Sequence, residues 1–254
     1  EFSKLEICDL KFTYAGTQSD ALAGVSVLIE RGEAVGFIGQ SGSGKTVFLK
    51  SLIGLHVPES GTISYDGAVN TKFTIEQKRQ WRQEIGMVFQ GSALFDSQTV
   101  QENVMFPLKM FKKQSEEQML ERVNFVLERV NLENSNFKFP AELSGGMQKR
   151  VAIARAIADQ PAYLLLDEPF GHLDANLRQR LSSYLMDLRD TEDTGIVLVS
   201  HEGQDVLGLC DHICILQNGK ISKKNIQRLL DSMKSFKLSI GIRLPIIFLF
   251  RSNT

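Results

Sequence analysis

One octapeptide constrains this chain more than any other stretch. "GQSGSGKT", residues 39–46, follows the short apolar run "EAVGFIG" and opens "KTVFLKSLIGL". Glycine is needed where backbone N–H groups must curl around an anion without a Cβ in the way. A buried strand, a glycine-rich turn and a helix N-terminus in that order make a phosphate cradle. The pattern G-x-x-x-x-G-K-[ST] is complete in Gly39, Gln40, Ser41, Gly42, Ser43, Gly44, Lys45 and Thr46, with Val47 next in the helix. Lys45 offers a positive charge to the outer phosphates of a nucleotide, and the Thr46 hydroxyl suits Mg²⁺.

Three more apolar runs end in chemistry. "YLLLDEP" (163–169) carries Asp167 and Glu168 to a strand end, where α/β folds place ligands. Asp167 is suited to reach a metal through water, and Glu168 to orient and deprotonate an attacking water. "IVLVSH" ends in His201, and "GMVFQ" in Gln90. Alone, a histidine at a strand end reads as a satisfied structural residue. Beside the other strand ends, His201 reads as a γ-phosphate contact. The Gln90 amide can hold Mg²⁺ or water without adding charge. Several buried strands alternating with helices argue an α/β protein, its mostly parallel sheet covered on both faces.

The remaining segments place the helices and the flanking strands. "KLEICDLKFTY" and "ALAGVSVLIE" read as strands joined by the turn "AGTQSD", and "SGTISYDG" as a short strand and turn. "KTVFLKSLIGL" reads as a helix stopped by Pro58, and "QTVQENVMFPLKMF" as a helix broken at Pro107. In "SEEQMLERVNFVLERV", Met119, Val123, Val126, Leu127 and Val130 share one helical face. "LDANLRQRLSSYLMDLRDT" is a further helix, and "ICILQNGKI" a hairpin with Asn218-Gly219 at its tip.

Bulk properties exclude more than they select. The 254 residues are 43% apolar and 23% charged with a net charge of −1, which points to neither nucleic acid nor an anionic membrane. Cys8, Cys210 and Cys214 do not make a disulfide framework, and no second pair completes a metal site around Cys210 and Cys214. No signal-peptide pattern opens the chain, and its longest apolar run, "LPIIFLF" (244–250), is far short of the ~18 residues of a membrane span. Work at a membrane would therefore go through a partner.

"LSGGMQKR" (143–150) sets a second anion site before a helix, although the chain already has one. Alone, Ser144 with Gly145 and Gly146 reads as an N-cap followed by flexible glycines. Taken in order, "TY", "GQSGSGKT", "FQ", "LSGG", "LLLDEP", "LD" and "SH" resemble the ATP-binding cassette (ABC) ATPases over roughly residues 4–225. The resemblance implies a P-loop NTPase fold with a mostly parallel core sheet, an antiparallel β subdomain and a helical subdomain at about 91–160. The cassette would occupy residues 1–225, leaving 226–254 as a tail.

In that family two cassettes pack head to tail around two ATP molecules. Leu143, Ser144, Gly145, Gly146, Met147 and Gln148 would then serve the partner copy's γ-phosphate, which explains the second anion site. Met147 stands where the usual glutamine would be. The resemblance makes Tyr14 the adenine-stacking aromatic and Leu173-Asp174 the loop between the sites. It makes Glu168 the base, His201 the γ-phosphate sensor, and Thr46, Gln90 and (through water) Asp167 the Mg²⁺ set. It implies Mg-ATP hydrolysis at the cytoplasmic face of the cell membrane, on an integral permease and with no nucleic acid.

Within the family, "GSGKTVFLKSLIGL", "VFQGSALFDSQTVQENVMFPL" and "LSGGMQKR" are similar to the phospholipid-trafficking ATPases of the Mla or Mce type. That places an Mce-domain lipid-binding protein among the expected partners. "DEPFGHLDANLRQRL" is more like cassettes of sugar and polyamine importers, whose extra C-terminal β-domain the chain lacks. Phospholipid trafficking is thus the first expectation and small-solute import the alternative. Non-transport cassettes carry a second cassette or a long coiled-coil insertion, and this chain has neither. The apolar tail is expected to meet the partner cassette or the permease.

Overall fold

Three short, mainly apolar strands explain most of this architecture, because such runs are stable only when neighbours cover both their faces. The computed structural model describes residues 4–111 and 114–221. In chain order the first elements are β1 (Lys4–Thr13), β2 (Asp20–Glu30), β3 (Ala34–Ile38), α1 (Lys45–Leu52), β4 (Ser60–Tyr65) and β5 (Ala68–Val69). Then come α2 (Ile75–Gln83), β6 (Ile85–Val88), α3 (Val100–Phe111), α4 (Glu116–Arg129) and α5 (Gly145–Ile157). The chain continues through β7 (Tyr163–Asp167), α6 (Ala175–Glu192), β8 (Gly195–Ser200), α7 (Gly203–Leu207), β9 (His212–Gln217) and β10 (Lys220–Ile221).

The larger sheet has the order β10-β9-β3-β8-β7-β6, parallel except for β10. The smaller sheet, β2-β1-β4-β5, is antiparallel throughout. Register aligns the strand ends that matter: Ile38 faces Ser200, and Asp167 faces Val199. The phosphate loop, the Asp167-Glu168 pair and His201 therefore leave the sheet side by side, with Gln90 two residues beyond β6.

Two cores flank the central sheet. Leu166, Leu198 and Leu164 face the helical side with Val104, Val126 and Ile153, while Leu165, Val197 and Val199 face Phe48, Leu5 and Ile29. This is the period-2 alternation of a strand buried twice. Leu165 is fully buried at the centre of β7, between β6 and β8. Leu165→Ala is expected to cost about 2–5 kcal/mol of stability, read as a lower urea midpoint at unchanged slope.

Three elements depart from the sequence expectations. Helix α3 runs through Pro107 without a break. Its apolar face, Val104, Met105 and Leu108, is locked in the core, and the buried Asn103 amide ties the preceding loop down by donating to the Phe95, Gln98 and Thr99 carbonyls. Tertiary packing thus outweighs the lost helix hydrogen bond. Helix α1 ends at Leu52 rather than near Pro58, and Gly54 turns the chain at φ 72°. Helix α2 lacks an apolar period; a reciprocal Thr74–Gln77 capping box starts it and one side chain, Trp81, anchors it in the core. The Asn218-Gly219 tip is as expected, left-handed at both residues (φ 48° and 70°). The tail, 226–254, lies outside the described residues.

Candidate nucleotide site

The phosphate loop is held open by its own sequence. Gly44 lies at φ 104°, and a Cβ there would come within 2.3 Å of the Ala21 carbonyl oxygen. A Cβ on Gly39 would meet the Leu216 carbonyl oxygen at 2.3 Å. Backbone blocks both positions, so neither admits a side chain without moving the loop. The buried Lys45 ammonium donates to the Gly39 carbonyl at 2.7 Å and the Gln40 carbonyl at 3.1 Å. It is thereby aimed across the loop before any phosphate arrives. Burial lowers its pKa, and Glu168 and Asp167 nearby pull it back up.

Tyr14, Lys45, Thr46, Gln90, Glu168 and His201 line one cavity of about 460 Å³. Tyr14 is exposed and set edge-on to Phe12 and His56, with ring centroids 5.1 and 5.8 Å away. Its free face suits a flat base. The Thr46 hydroxyl donates to Asp167 Oδ1 at 3.2 Å, and Asp167 is almost wholly buried. Burial raises the Asp167 pKa, with the Thr46 hydrogen bond opposing. A hydroxyl, a carboxylate and the nearby Gln90 amide are hard oxygen donors, which fits Mg²⁺.

Glu168 is placed by strain. It sits at φ 50°, in the left-handed region that non-glycine residues avoid, while its N–H donates to the Val199 carbonyl at 3.0 Å. That twist at the end of β7 turns its carboxylate toward β8, where Glu168 Oε2 lies 2.8 Å from His201 Nδ1. This hydrogen bond raises the His201 pKa above the ordinary imidazole value. Two residues separated by 33 positions thus form one acid–base pair facing the cavity.

The signature segment lies elsewhere. Ser144 and Gly145 are exposed and do not line the cavity. Ser144 caps α5, its hydroxyl accepting from the Met147 N–H at 3.3 Å, so the cap reading holds for the chain alone. A Cβ on Gly146 would approach the His172 carbonyl oxygen to 2.8 Å, which packs this segment on the loop before α6. In that loop Leu173 is buried and Asp174 is exposed, capping α6 through the Leu177 N–H at 2.9 Å.

Sequence reasoning missed a supporting layer. Ser200 Oγ donates to the buried Asp205 Oδ2 at 2.6 Å, and Arg178 Nη1 lies 3.1 Å from both Asp205 and Glu202. Lys149 and Arg155, on α5, reach the loop that carries Gln90. Lys149 had one visible signal: it falls on the 149/153/157 stripe with buried Ile153 and Ile157, where a charge needs a partner.

Comparison with known proteins shows the family and the fold. The family profile described as "ABC transporter" matches residues 22–171. The chain is 40% identical over 209 residues to the sulfate/thiosulfate import ATP-binding protein CysA of Vibrio cholerae, covering 81% of this chain and 54% of that protein. It is 38% identical over 221 residues to the methionine import ATP-binding protein MetN of Carboxydothermus hydrogenoformans, covering 87% and 65%. A dimeric post-hydrolysis structure of the ATP-binding cassette MJ0796 with ADP and Pi superposes with a TM-score of 0.82 at 30% identity, covering 86% of this chain and 97% of that one. The chain belongs to the ABC transporter family, and its fold is that of the P-loop ABC ATPases. It spans little more than half of the Vibrio protein's length. Where the sequence ends therefore carries no argument between import and lipid trafficking. Both relatives are named as import proteins. Among the described residues no helix is long and apolar enough to cross a membrane.

Proposed function

We propose that this chain is the ATP-hydrolysing subunit of an ABC importer for a small solute. It works as a head-to-tail pair of copies on a separate membrane-spanning permease. The observation that carries the ATPase reading is the Glu168–His201 pair, 2.8 Å apart, on the wall of the cavity that also holds Lys45, Thr46 and Gln90. Support for import comes from the named roles of the sulfate and methionine relatives, and support for pairing from the dimeric cassette neighbour.

The residues divide the work as follows. Tyr14 stacks on the adenine. The phosphate-loop N–H groups and Lys45 bind the phosphate chain, and Thr46, Gln90 and, through water, Asp167 would hold Mg²⁺, whose charge would offset that of the phosphate oxygens. Glu168 orients a water in line with the γ-phosphate and takes its proton, while His201 keeps the Glu168 carboxylate turned to the cavity and contacts the γ-phosphate. Ser144, Gly145 and Gly146 of the second copy close the site from the other side. Their N–H groups and helix dipole then gain an anion only while the γ-phosphate is present, so hydrolysis loosens the pair.

The test is isolation of the native complex in mild detergent through this subunit, with mass spectrometry of proteins and bound small molecules. The import reading expects a permease and a soluble solute-binding protein. A single permease type with an Mce-domain protein and co-purified phospholipid would overturn it in favour of lipid trafficking.

A further inference from the structure

Helix α5 begins with the signature segment, and one turn later it buries a cation. Lys149 is 3% exposed, and its ammonium donates to the Gln90 carbonyl at 2.6 Å and to the Phe89 carbonyl at 3.2 Å. Two turns on, Arg155 donates to the Ser92 and Ala93 carbonyls at 3.0 and 2.9 Å. One helix thus grips four residues of one loop through two cationic side chains. The gripped loop is not relaxed: Ser92 and Ala93 sit at φ 63° and 48°. Such geometry persists only where the surroundings over-determine it.

Burying an ammonium is costly, so this arrangement needs a reason beyond packing. Burial lowers the Lys149 pKa, and the Asp167 and Glu168 carboxylates raise it. Its hydrogen bonds go to the backbone carbonyls of Phe89 and Gln90, the end of the loop that enters the cavity.

We propose that Lys149 is a positioning residue for hydrolysis: it fixes the Gln90 backbone so that the Gln90 amide faces the cavity, and it joins that loop to the helix bearing the signature segment. Lys149 does not line the cavity, whereas Gln90 does, so it acts through Gln90. The inference rests on the ATPase reading above. It adds that the residues serving a copy's own ATP and those serving its partner's share one rigid link.

The test is a double-mutant cycle in the full chain, with Mg-ATP turnover and fluorescent-nucleotide binding read in parallel. Lys149→Met, which keeps the length and removes the donor, is expected to lower kcat by about 10-fold or more with nucleotide affinity within about 2-fold. Lys149→Arg should restore most of the rate. In a Gln90→Ala background, Lys149→Met should add almost nothing, because its route is already gone. If Lys149→Met prevents folding, Lys149→Gln carries the same cycle. Equal fold-losses with and without Gln90, or a native rate in the single variant, would overturn the inference while leaving the ATPase reading intact. A native chain that does not hydrolyse Mg-ATP would overturn both.

Discussion

Glu168→Gln is expected to bind ATP as the native chain does and to lose about 10²–10⁴-fold in turnover. The amide keeps the size and reach of the carboxylate but cannot take a proton from water. It also removes one negative charge from a wall that will face the γ-phosphate. The substitution therefore leaves ATP in place and unspent, and the paired state that γ-phosphate supports should accumulate. Turnover measured by phosphate release, with light scattering for the paired species, reads both effects. Hydrolysis at the native rate would remove Glu168 from the role of base.

Lys45→Met attacks the other side of the same reaction. Its ammonium is held over the loop by two carbonyls, so its charge is in position before the nucleotide binds. Losing charge-assisted hydrogen bonds to phosphate should cost about 1.5–3 kcal/mol, or about 10–150-fold in ATP affinity. Turnover at saturating ATP should fall by a further 10²–10³-fold or so, because the charge developing on the transferred phosphoryl group loses its fixed partner. Folding should be spared, since methionine fills the volume of a buried ammonium without its desolvation cost. Unchanged thermal melting with weakened nucleotide binding would show this, whereas native affinity would contradict it.

How much was legible in the sequence depended on how local each feature is. The phosphate loop, the Asp167-Glu168 strand end and His201 were readable because short apolar runs announce buried strands, and parallel order gathers their ends. Pro107 misled, because the core contacts of Val104, Met105 and Leu108 decide the helix there, not propensity. Helix α2 was missed because it buries a single residue and shows no period. The supporting polar layer was invisible for a different reason. Lys149 meets Gln90 across 59 positions, and Arg178 meets Glu202 across 24, contacts that only the folded chain creates. The strained φ of Glu168 belongs to the same class, since nothing in "DEP" announces it. Lipid trafficking and solute import are not separated by short stretches of sequence, since those of this chain resemble both groups.

The central claim is that each site is completed by a second copy. It is tested most directly by cross-linking position 144 of one chain to position 41 of another. Cys8 is exposed and would be replaced first, and the half-buried Cys214 with it, while Cys210 is buried, with burial raising the Cys210 and Cys214 thiol pKa values. Ser41→Cys and Ser144→Cys, placed on separate chains in the Glu168→Gln background, would be mixed with ATP and a short thiol cross-linker. The account predicts a covalent pair that forms only between the two variants and only with ATP. A cross-link that ignores ATP, or none while ATP is bound, would contradict it.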